Sequence, residues 1–381
     1  MHSSSRCGIL CLSVIMFYLS CWRPALAQDP VREVLIGFVA PMDDPDASSG
    51  AGAAQMAVDE ANTAPIRIGG TAVTFKLLLQ NDKADPRTAE QIARYLIKTN
   101  VVAVVGHWTS TTSIAVAPIY AEAGIAQLAP ISWSRRFTLA PGSSHFQGVG
   151  SDDMAMAYAV GYLSERVHPR LVMVIDDKAP LGVSMADSFE KYAKAAGIAT
   201  SRHSVSTQTS DFNPQLQIAK TIRPDMILFT GRGAQSAAIA RNLKRMGVVS
   251  SLMMTGPVVS TDFLAKINYS DEDLYAIVPG PPMDGSKIQA FRKRYTANFT
   301  REPAPFAMFA YDSVHTLIAA IRKADSLDRQ NIIAGLYAVN YTGLSGTMSF
   351  RPDGTLKSPT YTLHQTEKGR WTVLRQFKSP G

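Results

Sequence analysis

The chain has 381 residues, 46% of them hydrophobic and 18% charged, with a formal net charge of +7. Its basic residues are scattered, with no run of five, so they read as a solvated surface and argue against a nucleic-acid partner. All three cysteines (Cys7, Cys11 and Cys21) lie near the N-terminus, which excludes disulfides, thiolate metal sites and cysteine nucleophiles from the rest of the chain.

The N-terminus carries one positive charge, Arg6, then an apolar run over 8–22, then Ala25-Leu26-Ala27. That order is the signal-peptide pattern, so residues 1–27 are expected to be removed on export to the periplasm. The run is too short for a membrane span, which needs about 20 apolar residues; an uncleaved anchor is the alternative. Tyr18-Leu19-Ser20 is a poor lipobox, which makes a form lipid-anchored at Cys21 the lesser reading. Without 1–27 the chain keeps 354 residues and, having lost Arg6 and Arg23, a net charge of +5. That length suits two domains or one two-lobed unit.

Nearly continuous apolar runs recur at 34–40 (VLIGFVA), 73–79, 101–105 (VVAVV), 171–175 (LVMVI) and 226–229 (MILF). Runs without polar alternation predict strands buried on both faces, as in parallel sheets. Helical patterns separate them. Asp85-Pro86 supplies an N-cap and a first-turn proline ahead of Ala89, Ile92, Ala93, Leu96 and Ile97. Further helices are predicted over 152–166, 184–196, 234–246, 286–299 and 306–324. This alternation predicts a doubly wound α/β architecture. It restarts at about 151, after Gly148-Val149-Gly150, and breaks again at Pro279-Gly280-Pro281-Pro282. The tail predicts short strands over 343–350, 361–365 and 371–377.

Catalytic signatures are scarce. His107, His145, His168, His203, His315 and His364 have no metal-binding spacing, so no metal or other cofactor is expected. There is no Walker A loop and no nucleophile elbow, and Gly50-Ala51-Gly52 and Gly231-Arg232-Gly233 each lack the third glycine of a dinucleotide site. The segment 101–134 is more informative. It reads strand, loop, helix, strand, loop, and its first loop is dense in hydroxyls: Thr109, Ser110, Thr111 and Thr112. Free N–H groups, a positive dipole end and hydroxyls make a carboxylate-sized anion site. Ser110 and Thr111 acting only as N-caps is the plainer alternative. The second loop, 130–133, leaves the carboxyl end of the next strand, where α/β sheets bind ligands.

This segment resembles the leucine/isoleucine/valine-binding proteins, the substrate-binding subunits of branched-chain amino acid ABC importers. More broadly it is similar to the type I periplasmic binding proteins. The likeness covers nearly the whole chain after the signal. It rests on Gly37 and Ala40-Pro41, the helix 52–62, Gly106-His107 with its hydroxyl loop, Ile119-Tyr120, Gly124-Ile125 and Pro130. It continues through Asp176-Asp177-Lys178, Gly182, Asp211-Phe212, Pro224-Asp225, Gly256-Pro257, Tyr311-Asp312 and 346–354. The resemblance implies two Rossmann-like lobes joined by three crossover strands, closing on a small-molecule ligand, the closed form being read by a membrane permease. Lobe 1 would hold 28–149 and 281–358, lobe 2 150–280 and 359–381, with the third joint near 358–361. Closure needs contacts from both lobes.

The resemblance also places the site. Ser110 matches the serine that accepts a ligand carboxylate, with Trp108, Thr111 and Ser132 beside it. The family's alanine and threonine fall at Ile131 and Trp133, its two tyrosines at Leu181 and Arg232, and its ammonium-pairing glutamate at Val258. Losing the glutamate leaves an α-ammonium without a counter-charge, and burying such a group is costly. Arg232 adds a forked cation suited to a carboxylate, and Trp108 and Trp133 add flat apolar surface. The ligand expected is thus an organic carboxylate, aromatic ones included, in place of a zwitterionic leucine-type amino acid. The alternatives are that the tryptophans only fill the lobe, that Arg232 pairs with Asp177 or Asp43, and that another acid replaces the glutamate. The reading is a non-enzymatic binding protein feeding an ABC permease. A sensor of the same fold coupled to a chemoreceptor or kinase is the second reading, and an exported Rossmann-type enzyme the third.

Overall fold

The computed structural model describes residues 31–268 and 273–379, so the expected export segment, Cys21 included, lies outside the described residues. From the first described residues the chain lays down β1 (Arg32–Ala40), α1 (Pro45–Ala61), β2 (Ile66–Ile68), β3 (Thr71–Asn81), α2 (Pro86–Ile97), β4 (Val101–Gly106), α3 (Ser110–Glu122), β5 (Ala126–Ala129), α4 (Arg135–Thr138) and β6 (His145–Gln147). These strands form one sheet in the order β2-β3-β1-β4-β5-β6, parallel except for β2. Every residue of β4 and β5 is buried, which is why β4 reads as a run of valines with no polar alternation.

A second sheet follows. The chain runs α5 (Asp152–Tyr162), β7 (Leu171–Asp176), α6 (Pro180–Ala195), β8 (Ala199–Ser204), α7 (Asn213–Ile222), β9 (Met226–Phe229), α8 (Gly233–Arg245), β10 (Ser251–Met254), α9 (Thr261–Ile267) and β11 (Leu274–Pro279). Then α10 (Ser286–Phe299), α11 (Ala307–Ala324), α12 (Arg329–Ala338) and the hairpin β12 (Tyr341–Thr342)–β13 (Thr347–Met348) return to the first unit, α11 packing on α1 and α12 on β4 and β5. Finally β14 (Thr360–Glu367) and β15 (Arg370–Lys378) add antiparallel strands to the second sheet, whose order is β15-β14-β11-β10-β9-β7-β8.

The chain therefore passes between the sheets three times, after β6, after β11 and before β14, and hydrogen bonds tie the passages together. The Tyr361 hydroxyl donates to the Ser151 carbonyl (2.8 Å), and the Gly280 N–H donates to the Thr360 carbonyl (2.8 Å). Gly150 has no room for a side chain, because a Cβ there would lie 2.0 Å from the Tyr361 hydroxyl.

Four of the predicted elements differ clearly from the sequence expectation. The helix expected over 52–62 starts seven residues earlier, at Pro45, with the Asp44 carboxylate as its N-cap. Helix α6 starts at Pro180, a turn before residue 184, since a first-turn proline needs no N–H partner. The helix predicted over 152–166 stays α-helical through Tyr162 and then widens into a π turn over Leu163–Val167. The strand predicted over 343–350 is a tight hairpin. Buried Asp312 on α11 gathers the Leu344 and Ser345 N–H groups (3.0 and 2.6 Å), which holds the chain in a turn. Among the described residues no helix is long and apolar enough to cross a membrane.

Candidate functional site

The loop from β4 to α3 is anchored from below. His107 Nδ1 lies 2.8 Å from Asp82 Oδ2 and its Nε2 lies 3.2 Å from the Tyr120 hydroxyl, all three residues being fully buried. The Ser113 hydroxyl donates to the His107 carbonyl (2.8 Å). Burial, aided by the Asp82 charge, pushes the Tyr120 hydroxyl well above its usual range. Gly106 opens the loop at φ 141°, where a Cβ would meet the Val39 carbonyl oxygen at 2.6 Å. This anchorage fixes where Trp108 and Ser110 sit.

Trp108 is buried against α1, and the ring occupies the space a side chain at Gly50 would need, 2.3 Å from an added Cβ. Its indole N–H is directed to the Asp46 carboxyl, which also accepts the Phe306 N–H (3.3 Å). Burial pushes Asp46 up to about 7, the Asp44 charge adds to this, and the two hydrogen bonds oppose it. A carboxyl with a raised pKa favours folding fully below the unfolded value near 4, and that contribution is lost as pH rises through about 7. Asp46→Asn is therefore expected to narrow the difference in melting temperature between about pH 5 and pH 8; an unchanged difference would show that Asp46 titrates as an ordinary surface acid.

The hydroxyls of the loop divide their work. Thr109 is the N-cap of α3, its hydroxyl accepting the Thr112 N–H. Ser110, buried, instead accepts the Ser134 N–H (3.3 Å), so it joins the loop after β5 to the loop after β4. Thr111 is half-buried beside it. In the second loop Ile131 is half-buried, whereas Ser132 and Trp133 are buried. The Ser132 hydroxyl has no hydrogen-bond partner, and the Trp133 carbonyl accepts the Asp152 N–H at the start of α5 (2.7 Å). Asp152 Oδ1 in turn accepts the Arg135 N–H (2.9 Å), so an acid of the second unit closes on the first. Burial raises the Asp152 pKa.

On the opposite side, helices α3 and α6 come together. Asp177 is buried where β7 meets α6 and accepts the Ala179 N–H (3.0 Å); burial raises its pKa, opposed by that bond and by the charge of Arg232. Leu181 is half-buried in the first turn of α6. Arg232 stands exposed at the N-cap position of α8 with no side-chain cap bond, within electrostatic reach of Asp177 but in no salt bridge among the described residues. Val258 is fully buried in the core of the second sheet, with its Cγ1 about 4.0 Å from where a Cβ on Gly233 would lie.

Trp108, Ser110, Ser132 and Trp133 thus share one pair of loops of the first sheet, and Asp177, Leu181 and Arg232 stand at the carboxyl ends of β7 and β9 in the second. Sequence reasoning passed over Asp46, His107 as an anchor, Asp152 and Phe306. Of these only Asp44-Pro45-Asp46 had a local signal, and it reads as an ordinary helix start. Among the described residues no three His, Asp or Glu side chains cluster as a metal site.

Comparison with known proteins identifies the fold and the family. A family model described as periplasmic binding protein matches residues 33–370. A Leu/Ile/Val-binding protein homolog of Brucella suis is 25% identical over 368 residues, covering 95% of both chains. The fold matches a branched-chain amino acid transporter substrate-binding protein of Streptococcus pneumoniae, solved with isoleucine, at a TM-score of 0.80 and 22% identity, over 92% of this chain and 100% of the other. It also matches a solute-binding protein of an ABC transporter of R. palustris, solved with benzoate, at a TM-score of 0.80 and 15% identity, over 92% and 98%. With its two parallel-dominated sheets and a family match spanning nearly every described residue, the chain belongs to the periplasmic binding protein family.

Proposed function

We propose that this protein, exported by removal of residues 1–27, is the periplasmic substrate-binding component of an ABC importer, handing its ligand to a membrane permease. It captures a small organic carboxylate, aromatic acids included, between lobe 1 (28–149 with 281–358) and lobe 2 (150–280 with 359–381). Ser110, Thr111 and Ser132 meet the carboxylate from lobe 1. Trp108, Ile131 and Trp133 offer the apolar wall, with Leu181 and Val258 opposite. Arg232 brings the compensating charge, with Asp177 setting its field. The observation that carries this is Arg232: an exposed arginine at the start of α8, in no salt bridge among the described residues, whose charge reaches Asp177 at the end of β7. The benzoate-bound relative supports the ligand class.

Asp46 favours a second reading. A carboxyl beside Trp108 can pair with an α-ammonium in place of the absent glutamate, and the isoleucine-bound relative fits such a ligand. A thermal-shift screen of the protein without its signal decides between them, since stabilisation grows with ligand concentration over dissociation constant. Benzoate and short aliphatic acids are expected to raise the melting temperature. A large rise with leucine and none with simple acids would establish the amino-acid reading.

A further inference from the structure

We propose that a crevice between Phe306 and His364 is a ligand subsite, in which the imidazole of His364 reads a hydroxyl carried by the bound organic acid. The proposal rests on the organic-acid reading of the cleft and extends it to the body of the ligand. Both units build the crevice. Val259 comes from the loop after β10, Val278 from the end of β11, Pro281 from the second passage between the sheets, and Met283, Phe306 and Met308 from the first unit. It adjoins the residues already placed in the cleft on both sides. Val259 follows Val258, and the Phe306 N–H is bound by the Asp46 carboxyl to which the Trp108 indole is directed.

The walls are apolar apart from His364. This residue sits on β14 opposite Ala276 of β11 and is only 4% exposed; its Nδ1 completes no hydrogen bond of good geometry, although the Thr362 carbonyl lies near enough to the ring to favour its protonated form. Buried polar atoms in native proteins nearly always have one, so an orphan at a crevice wall marks a place where something else supplies it. Burial pushes the His364 pKa down to about 4; the Thr362 carbonyl and the Asp284 charge pull the other way and do not restore it. At neutral pH the ring is therefore uncharged, with one donor and one acceptor nitrogen. An apolar crevice with a neutral imidazole does not suit a second carboxylate, which would be buried without a counter-charge. A hydroxyl suits it in either tautomer, because it both donates and accepts.

The test compares benzoate with 3- and 4-hydroxybenzoate by calorimetry, on the wild-type protein and on His364→Phe, which keeps a flat ring and removes both nitrogens. The wild type is expected to prefer one hydroxybenzoate by about three- to tenfold, the size of one net hydrogen bond, and the variant to bring that ratio to about one. A measurement on the wild type alone keeps the test independent of how well the variant folds. The His364 ring nitrogen resonances should shift with the preferred hydroxybenzoate and not with benzoate. Benzoate binding with an unchanged ratio in the variant, or with no ring shift, overturns the subsite and leaves the organic-acid reading standing; a crevice holding only water gives that result. Capture of leucine alone, with no acid bound, overturns both.

Discussion

Arg232→Ala is expected to weaken capture of benzoate by about 30- to 150-fold, or about 2–3 kcal/mol, the lower part of the range for truncating one member of a ligand charge pair. The lower part applies because Arg232 is exposed and its charge is partly screened by water. The position explains the size of the effect. Arg232 is the residue before α8, so its backbone is fixed by the helix start while its side chain makes no cap bond and, among the described residues, no salt bridge. Its charge already reaches Asp177, whose carboxyl is disfavoured by burial, so part of the field of this arginine acts on the strand ends of the second sheet although the side chain is exposed. Arg232→Lys keeps the charge and loses the planar fork, and an intermediate loss is expected. Calorimetry at two salt concentrations checks the assignment, since a charge-driven contact weakens as salt rises. Equal benzoate affinity in wild type and Arg232→Ala would remove Arg232 from the site.

The parts of the fold that were legible are those where burial leaves no choice of residue. Strands β4 and β7 are buried on nearly every position and so appear as VVAVV and LVMVI. Strand β6 was not legible, because it has three residues and buries His145 and Gln147, whose polar side chains give no apolar run. At the candidate site, the density of hydroxyls over 109–112 pointed to the loop between β4 and α3, which the structure builds from the N-cap Thr109 and buried Ser110. What it could not show is which hydroxyl caps the helix, and Thr109 doing so is what frees Ser110 to hold the Ser134 N–H. Asp46 was illegible for another reason. An acid in a first helical turn ordinarily pairs with the helix dipole, and only the arrival of Trp108 and Phe306 from distant segments buries it. His107 belongs with these cases, since its partners come from just after β3 and from the last turn of α3, and no spacing rule joins them.

That buried group makes the other large effect. Asp82→Ala is expected to cost about 2–3 kcal/mol of stability, from one buried and one half-buried donor that each lose a partner. One is the His107 ring, 2.8 Å from Asp82 Oδ2; the other is the Ala84 N–H, which donates to Asp82 Oδ1 at 3.0 Å. The His107 ring cannot turn to water, since His107 and Asp82 are fully buried, whereas the half-buried Ala84 N–H partly can. The consequence reaches beyond stability because His107 precedes Trp108 in the loop that the network holds. If the ring loses Asp82, its contact with Tyr120 on α3 is the remaining restraint on that side, and Trp108 and Ser110 lose their fixed positions. Benzoate affinity is then expected to fall together with the melting temperature, although Asp82 touches no ligand. Asp82→Asn, which can still accept one hydrogen bond, should recover part of both. Thermal unfolding and calorimetry on the two variants separate the roles. A loss of stability with affinity intact would make the network a fold anchor only, whereas a joint loss with joint recovery identifies it as the support that positions the carboxylate loop.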